Sequence, residues 1–121
     1  MASTQELIAT AIERFQAEVP ALAQLKLVFE LELRGRGDVQ MFRVELPGPK
    51  ISKAASTEDA RVTAEFTRAE FNRLAEEGTV SDYRAAYEAG HIKVSGDSNI
   101  QKLIAQVIDR HEQRVRTKKV H

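Results

Sequence analysis

The run Ala86-Tyr87-Glu88-Ala89-Gly90-His91-Ile92-Lys93-Val94-Ser95-Gly96-Asp97 changes its hydrophobic period as the chain passes from helix to strand and back towards helix. Ser81-Asp82 can cap a short helix over Tyr83 to Ala89. Gly90 stops it, because glycine enters the left-handed conformation that closes a helix at little cost. His91 to Ser95 then alternates, with Ile92 and Val94 inward, which is the period of a strand. Gly96-Asp97-Ser98 ends that strand and opens a last helix, on which Ile100, Leu103, Ile104, Val107 and Ile108 make one broad apolar stripe. A strand held between two amphipathic helices predicts a mixed architecture in which helices cover a sheet.

Upstream, Arg61 to Phe66 alternates with Val62, Ala64 and Phe66 inward, and Thr67 with Glu70 offers a capping box for a helix carrying Phe71 and Leu74. Leu27, Phe29, Leu31 and Leu33 share one face of an earlier strand, and Phe42, Val44 and Leu46 share one face of the next. The turn residues Arg34-Gly35-Arg36-Gly37-Asp38 between them predict an antiparallel hairpin. Lys50 to Ala55 reads as a weaker strand before a turn at Thr57-Glu58-Asp59. At the start, Ser3 or Thr4 caps a helix whose Leu7, Ile8, Ala11, Ile12, Phe15 and Val19 recur at helical spacing until Pro20. The expected fold class is α+β, a mostly antiparallel five-stranded sheet with helices packed on one face.

The 121 residues are enough for one core, so residues 1–115 are expected to form a single domain and 116–121 a basic, frayed tail. Eighteen Lys and Arg balance eighteen Asp and Glu, a neutrality that gives no global field toward nucleic acid. The chain has no cysteine, which removes disulfides, thiol nucleophiles and cysteine metal sites. Its N-terminus has no signal-like pattern and no stretch has spanning length, so the expected location is the cytoplasm.

Catalytic chemistry is thinly represented. His91, His111 and His121 lack metal-ligand spacing, and Gly35-Arg36-Gly37 joins two strands instead of cradling a phosphate. Glu30, Glu32, Glu45 and Glu65 fall on outward strand faces among Lys, Arg and Thr, the pattern of a solvated sheet face. Asp97 stands before a helix, where a carboxylate meets free backbone N–H groups, and is read as a cap. The cations Arg110, Arg114, Arg116, Lys118 and Lys119 complement the end of the last helix and are also compatible with transient contact with a membrane or partner protein. No cofactor, metal or catalytic residue is expected.

The ordered set Gly78-Thr79-Val80, Ala86 through Asp97 and the apolar helix after it resembles the C-terminal half of the sterol carrier protein 2 family. The resemblance continues through Asp59-Ala60-Arg61-Val62-Thr63-Ala64-Glu65-Phe66-Thr67, the hairpin from Leu27 to Leu46 and the helix from Leu7 to Val19, and it weakens over Pro47 to Ser56. It implies non-catalytic binding and transfer of an apolar ligand, such as a fatty acid, a fatty acyl-CoA, a sterol or another lipid, in a tunnel between sheet and helices. By position the tunnel would draw on Leu31, Leu33, Phe42, Val44, Phe66, Phe71, Tyr87, Ile92 and Val94, covered by Leu103, Ile104 and Val107 of a last helix that acts as its gate. Other readings stay open at this stage. They are a protein-interaction scaffold with a filled core, an accessory factor holding an isoprenoid quinone precursor, and an enzyme using Tyr83, Tyr87 or His111.

Overall fold

The computed structural model describes residues 3–53 and 60–120, and of 116–120 the backbone only. The turn expected at Thr57-Glu58-Asp59, the end of the weak strand at Ala54-Ala55, and His121 lie outside the described residues.

Helix α1, Thr4–Glu18, begins at Ser3, whose hydroxyl accepts from the Glu6 N–H at 3.2 Å. After α1 comes a short 3-10 helix, Pro20–Gln24, that buries Leu22. Strands β1 (Leu27–Arg34) and β2 (Val39–Leu46) form the expected hairpin, with Leu31 opposite Phe42 and Phe29 opposite Val44. Strand β3, Lys50–Lys53, pairs antiparallel with β2 at the edge. Strand β4, Val62–Thr67, then pairs in parallel with β1, and β5 (Ile92–Gly96) pairs antiparallel with β4. The sheet order is β3-β2-β1-β4-β5. The β1–β4 pair is the parallel exception in an otherwise antiparallel sheet. Alternation of side chains is the same in either direction, so the pattern alone does not reveal it.

Register puts Leu27, Phe29, Leu31 and Leu33 on one face with Phe42, Val44, Leu46, Ile51, Val62, Ala64, Phe66, Ile92 and Val94. Helix α1 covers that face with Ile8 and Ala11, and α2 (Arg68–Glu77) with Phe71, Leu74 and Ala75. The opposite face carries Glu30, Glu32, Glu65, Arg34 and Arg43, including an Arg34–Glu65 ion pair. Burial, then the charge of Glu30, raises the Glu32 carboxyl above its ordinary range.

Helix α3, Val80–Glu88, starts three residues before the position expected from Ser81-Asp82. The cap is Thr79: its hydroxyl accepts from the Asp82 N–H at 3.3 Å while the Asp82 carboxylate accepts from the Thr79 N–H at 2.9 Å. The earlier start brings Val80 into the helix and buries it. At the other end, the Gly90 N–H donates to the Tyr87 carbonyl and the His91 N–H to the Ala86 carbonyl, the pair of bonds that a left-handed glycine permits.

Helix α4, Ser98–Val120, carries on through residues 116–120, which had been expected as tail. Cations in the last turns favour this continuation, since they meet the negative end of the helix dipole. At its start, Asp97 accepts from the N–H groups of Asn99 (2.9 Å) and Ile100 (3.3 Å) and from the Arg61 guanidinium (2.7 Å). The Arg61 bond, followed by those from the backbone, holds the Asp97 carboxyl below its usual value. Further along, Val107 and Ile108 pack onto Val19, Leu22 and Val80.

Candidate functional site

Packing between sheet and helices is complete on one side of the core and open on the other. Leu33, Phe42 and Val44 are fully buried beside Ile8 and Leu74. Across β1, small side chains meet: Ala64 lies in register between Leu31 and Val94, and Ala11 faces the same layer from α1. Here the sheet and helices enclose a cavity of about 450 Å³. Its walls are hydrocarbon from every layer: Ile8, Ala11, Ile12 and Phe15 of α1, Leu22 and Leu25, Leu27, Phe29 and Leu31 of β1, Leu46 of β2, Val62, Ala64 and Phe66 of β4, and Phe71 of α2. Val80, Tyr83 and Tyr87 of α3, Ile92 and Val94 of β5, and Ile104, Ala105 and Ile108 of α4 complete the apolar lining.

Of the residues expected at the site, Leu31, Phe66, Phe71, Tyr87, Ile92, Val94 and Ile104 come together on this cavity. Leu33, Phe42 and Val44 stand off it in the close-packed part of the core. Leu103 is 45 % exposed on the outer side of α4, and Val107 is spent on the packing of α4 against Val19, Leu22 and Val80. The contribution of α1 and of Phe29 was visible as apolar spacing. Nothing in that spacing distinguishes a wall from a filled interior.

Exposure locates the mouth. Among the lining residues only Tyr87, Glu88 and Ala105 are exposed, and all three lie where the end of α3 meets the middle of α4. Arg84 stands at that junction. Its guanidinium reaches Glu88 on its own helix at 3.3 Å, and Asp109 (2.5 Å) and Glu112 (3.2 Å) on α4. Hydrogen bonds to Asp109 and Glu112 raise its already high pKa further. Arg84, Glu88 and Asp109 also line a cleft on the outer side of the two helices, so this lattice is the partition between cavity and solvent.

Inside, Tyr83 is wedged between Phe15 (ring centroids 4.6 Å apart) and Phe66 (6.3 Å) in edge-to-face contacts. Its hydroxyl is buried without a hydrogen-bond partner among the described residues, and burial pushes its pKa up to about 12. Gln16 and Gln101 also line the cavity, and their amides donate to the carbonyls of Pro47 (2.9 Å) and Gly96 (3.3 Å). Among the described residues no group of three His, Asp or Glu side chains is arranged to hold a metal ion, and no helix is long and apolar enough to cross a membrane.

This arrangement, a five-stranded sheet of order β3-β2-β1-β4-β5 with four helices, superposes on known structures. No family model matches the chain, and no curated protein matches it in sequence. The structure of palmitated sterol carrier protein 2-like 2 from Aedes aegypti superposes with a TM-score of 0.58 at 24% identity, over 84% of this chain and 93% of that one. This chain has the sterol carrier protein 2 fold. A sterol carrier protein domain of Helicoverpa armigera gives a TM-score of 0.59 at 14% identity, over 88% of this chain and 83% of that one. A conserved hypothetical protein of Thermus thermophilus gives 0.59 at 15% identity, over 92% and 85%. In each case the superposition covers more than four fifths of both chains.

Proposed function

We propose that this protein binds a single small apolar molecule in the cavity between sheet and helices, and carries it without changing it chemically. The observation that supports this is the cavity itself, about 450 Å³ of space walled mainly by aliphatic and aromatic side chains with its charged groups gathered at one mouth. A space of that size is within the range of ligand pockets, and each methylene transferred into it from water is worth about 0.8 kcal/mol. The palmitated state of the Aedes aegypti neighbour supports an alkyl chain as the buried part. Catalysis has less to recommend it, since Tyr83 is the buried titratable group on the wall and its hydroxyl stays protonated throughout the neutral range.

Helix α4 closes the cavity and is the element whose movement admits the ligand. It is tied to the body at Asp97–Arg61, at the Val107–Ile108 packing and at the Arg84 lattice, and of these the two ionic ties exchange with water more readily than the apolar packing.

The test uses the uncharged dye Nile red with delipidated protein. Fluorescence should rise on binding and fall on competition by a long-chain alcohol. Ala64→Trp, which places an indole in the middle of the cavity floor, should abolish both while the circular dichroism of the fold is retained. Absence of dye binding by the parent protein, or unchanged binding by a folded Ala64→Trp variant, refutes the proposal.

A further inference from the structure

A charged end of a bound molecule must lie at the mouth, because elsewhere the wall is hydrocarbon, amides already bonded to backbone, and the one neutral hydroxyl of Tyr83 set between aromatic rings. The charges there do not balance. Arg84 is the only cation on the lining among the described residues, and three carboxylates, Glu88, Asp109 and Glu112, already surround it. The group of four carries a formal charge of −2. Glu112 belongs to the outer cleft and not to the cavity lining, whereas Lys102 and Arg110 of α4 are exposed and line neither, so they do not offset the charge at the mouth.

Resting on the apolar-ligand reading above, we infer that this mouth selects ligands by head-group charge, admitting amphiphiles with a neutral or cationic polar end over carboxylates and coenzyme A thioesters. A carboxylate head meets a guanidinium whose Nε is directed at Glu88 and whose Nη1 is directed at Asp109 and Glu112, so it is repelled by three carboxylates wherever it approaches that cation. A hydroxyl or carbonyl can accept from the guanidinium edge or donate to a carboxylate without adding charge. An ammonium is attracted by the two carboxylates left unbalanced. Glu88, Asp109 and Glu112 are thus specificity-determining, and Arg84 holds them in place across the two helices.

A matched series isolates the effect, since dodecylamine, dodecanol and dodecanoate share one chain and differ only at the head. Nile red displacement at pH 7, low ionic strength and sub-micellar concentration should rank them amine first, alcohol second and carboxylate last. The alcohol should bind about tenfold more tightly than the carboxylate, the size expected for two unbalanced charges acting through a largely aqueous medium. That gap should shrink as salt is added. The triple variant Glu88→Gln, Asp109→Asn, Glu112→Gln leaves Arg84 alone and should bring the carboxylate above the alcohol. If dodecanoate equals or surpasses dodecanol in the parent protein, or if added salt leaves the gap unchanged, head-group selection is refuted while apolar binding stands. If none of the three displaces the dye, the binding proposal fails as well. The salt titration needs no variant, so a triple variant that does not fold leaves the test intact.

Discussion

Replacing Gly96 by alanine should destabilise this protein by about 3 kcal/mol, and the structure accounts for the figure in parts. Gly96 has φ +112°, a conformation that side-chain-bearing residues rarely adopt. A non-glycine residue there is strained by about 1.5 kcal/mol, within the range for sparsely populated backbone regions. A Cβ at this position would also press on the Arg61 carbonyl and come within 2.9 Å of the Val62 Cα, backbone atoms at the entry to the neighbouring strand β4. Forcing such a contact costs about 2 kcal/mol more. The entropy that alanine removes from the unfolded chain returns about 0.5 kcal/mol. Gly90 provides the control, because its φ is +85° yet nothing lies within 4 Å of its would-be Cβ. Gly90→Ala should therefore lose only about 1 kcal/mol, the strain less the entropic gain. Urea unfolding followed by circular dichroism measures both, with midpoints compared at equal slope. In thermal melts the two losses correspond to falls of about 12 °C and about 4 °C for a domain of this size. A Gly96→Ala loss no larger than that of Gly90→Ala would refute the reasoning. The close approach of the β5 end to Arg61 and Val62 would then not be what demands glycine.

Tyr83→Phe should leave the unfolding free energy unchanged or raise it by up to about 1 kcal/mol in urea titrations, since it removes a buried hydroxyl that has no partner among the described residues; a loss above about 1 kcal/mol would show that the hydroxyl is bonded. Glu32→Gln should stabilise the protein at pH 7. The raised folded pKa of Glu32 means that its charged form is disfavoured in the native state above that pKa, and that the penalty is relieved as pH falls through it towards the ordinary value of about 4.5. The gain from Glu32→Gln should accordingly vanish below that pH, and a gain that persists in acid would count against burial and the Glu30 charge as its cause.

The elements themselves were legible. Two-residue alternation marked β1, β2, β4 and β5, and three-to-four spacing marked α1, α2 and α4, because burial on one side imposes those periods on any strand or helix. Caps were legible where one reading dominated, as at Thr67 and Asp97, whereas Ser3 and Thr4 stayed alternatives until the bond from the Glu6 N–H decided for Ser3. Thr79 was hidden by Ser81-Asp82, an equally plausible cap close by, and the reciprocal bonds between Thr79 and Asp82 decided between them. The site was only partly legible. Leu31 and Leu33 are two residues apart on the same face of β1, yet one lines the cavity and the other sits in the filled core.

What the sequence determined by itself is which side of each element is apolar, and with that the α+β class and the mouthless picture of a single interior. Tertiary structure alone decided the parallel pairing of β1 with β4, which sets Ala64 between Leu31 and Val94 where the space opens. It also brought Arg84 of α3 against Asp109 and Glu112 of α4, residues that are more than twenty positions apart. The physical reason is common to both. Periodicity records the direction in which a side chain is buried, whereas a cavity and its charged rim depend on the volumes and charges that meet from elements distant in the chain.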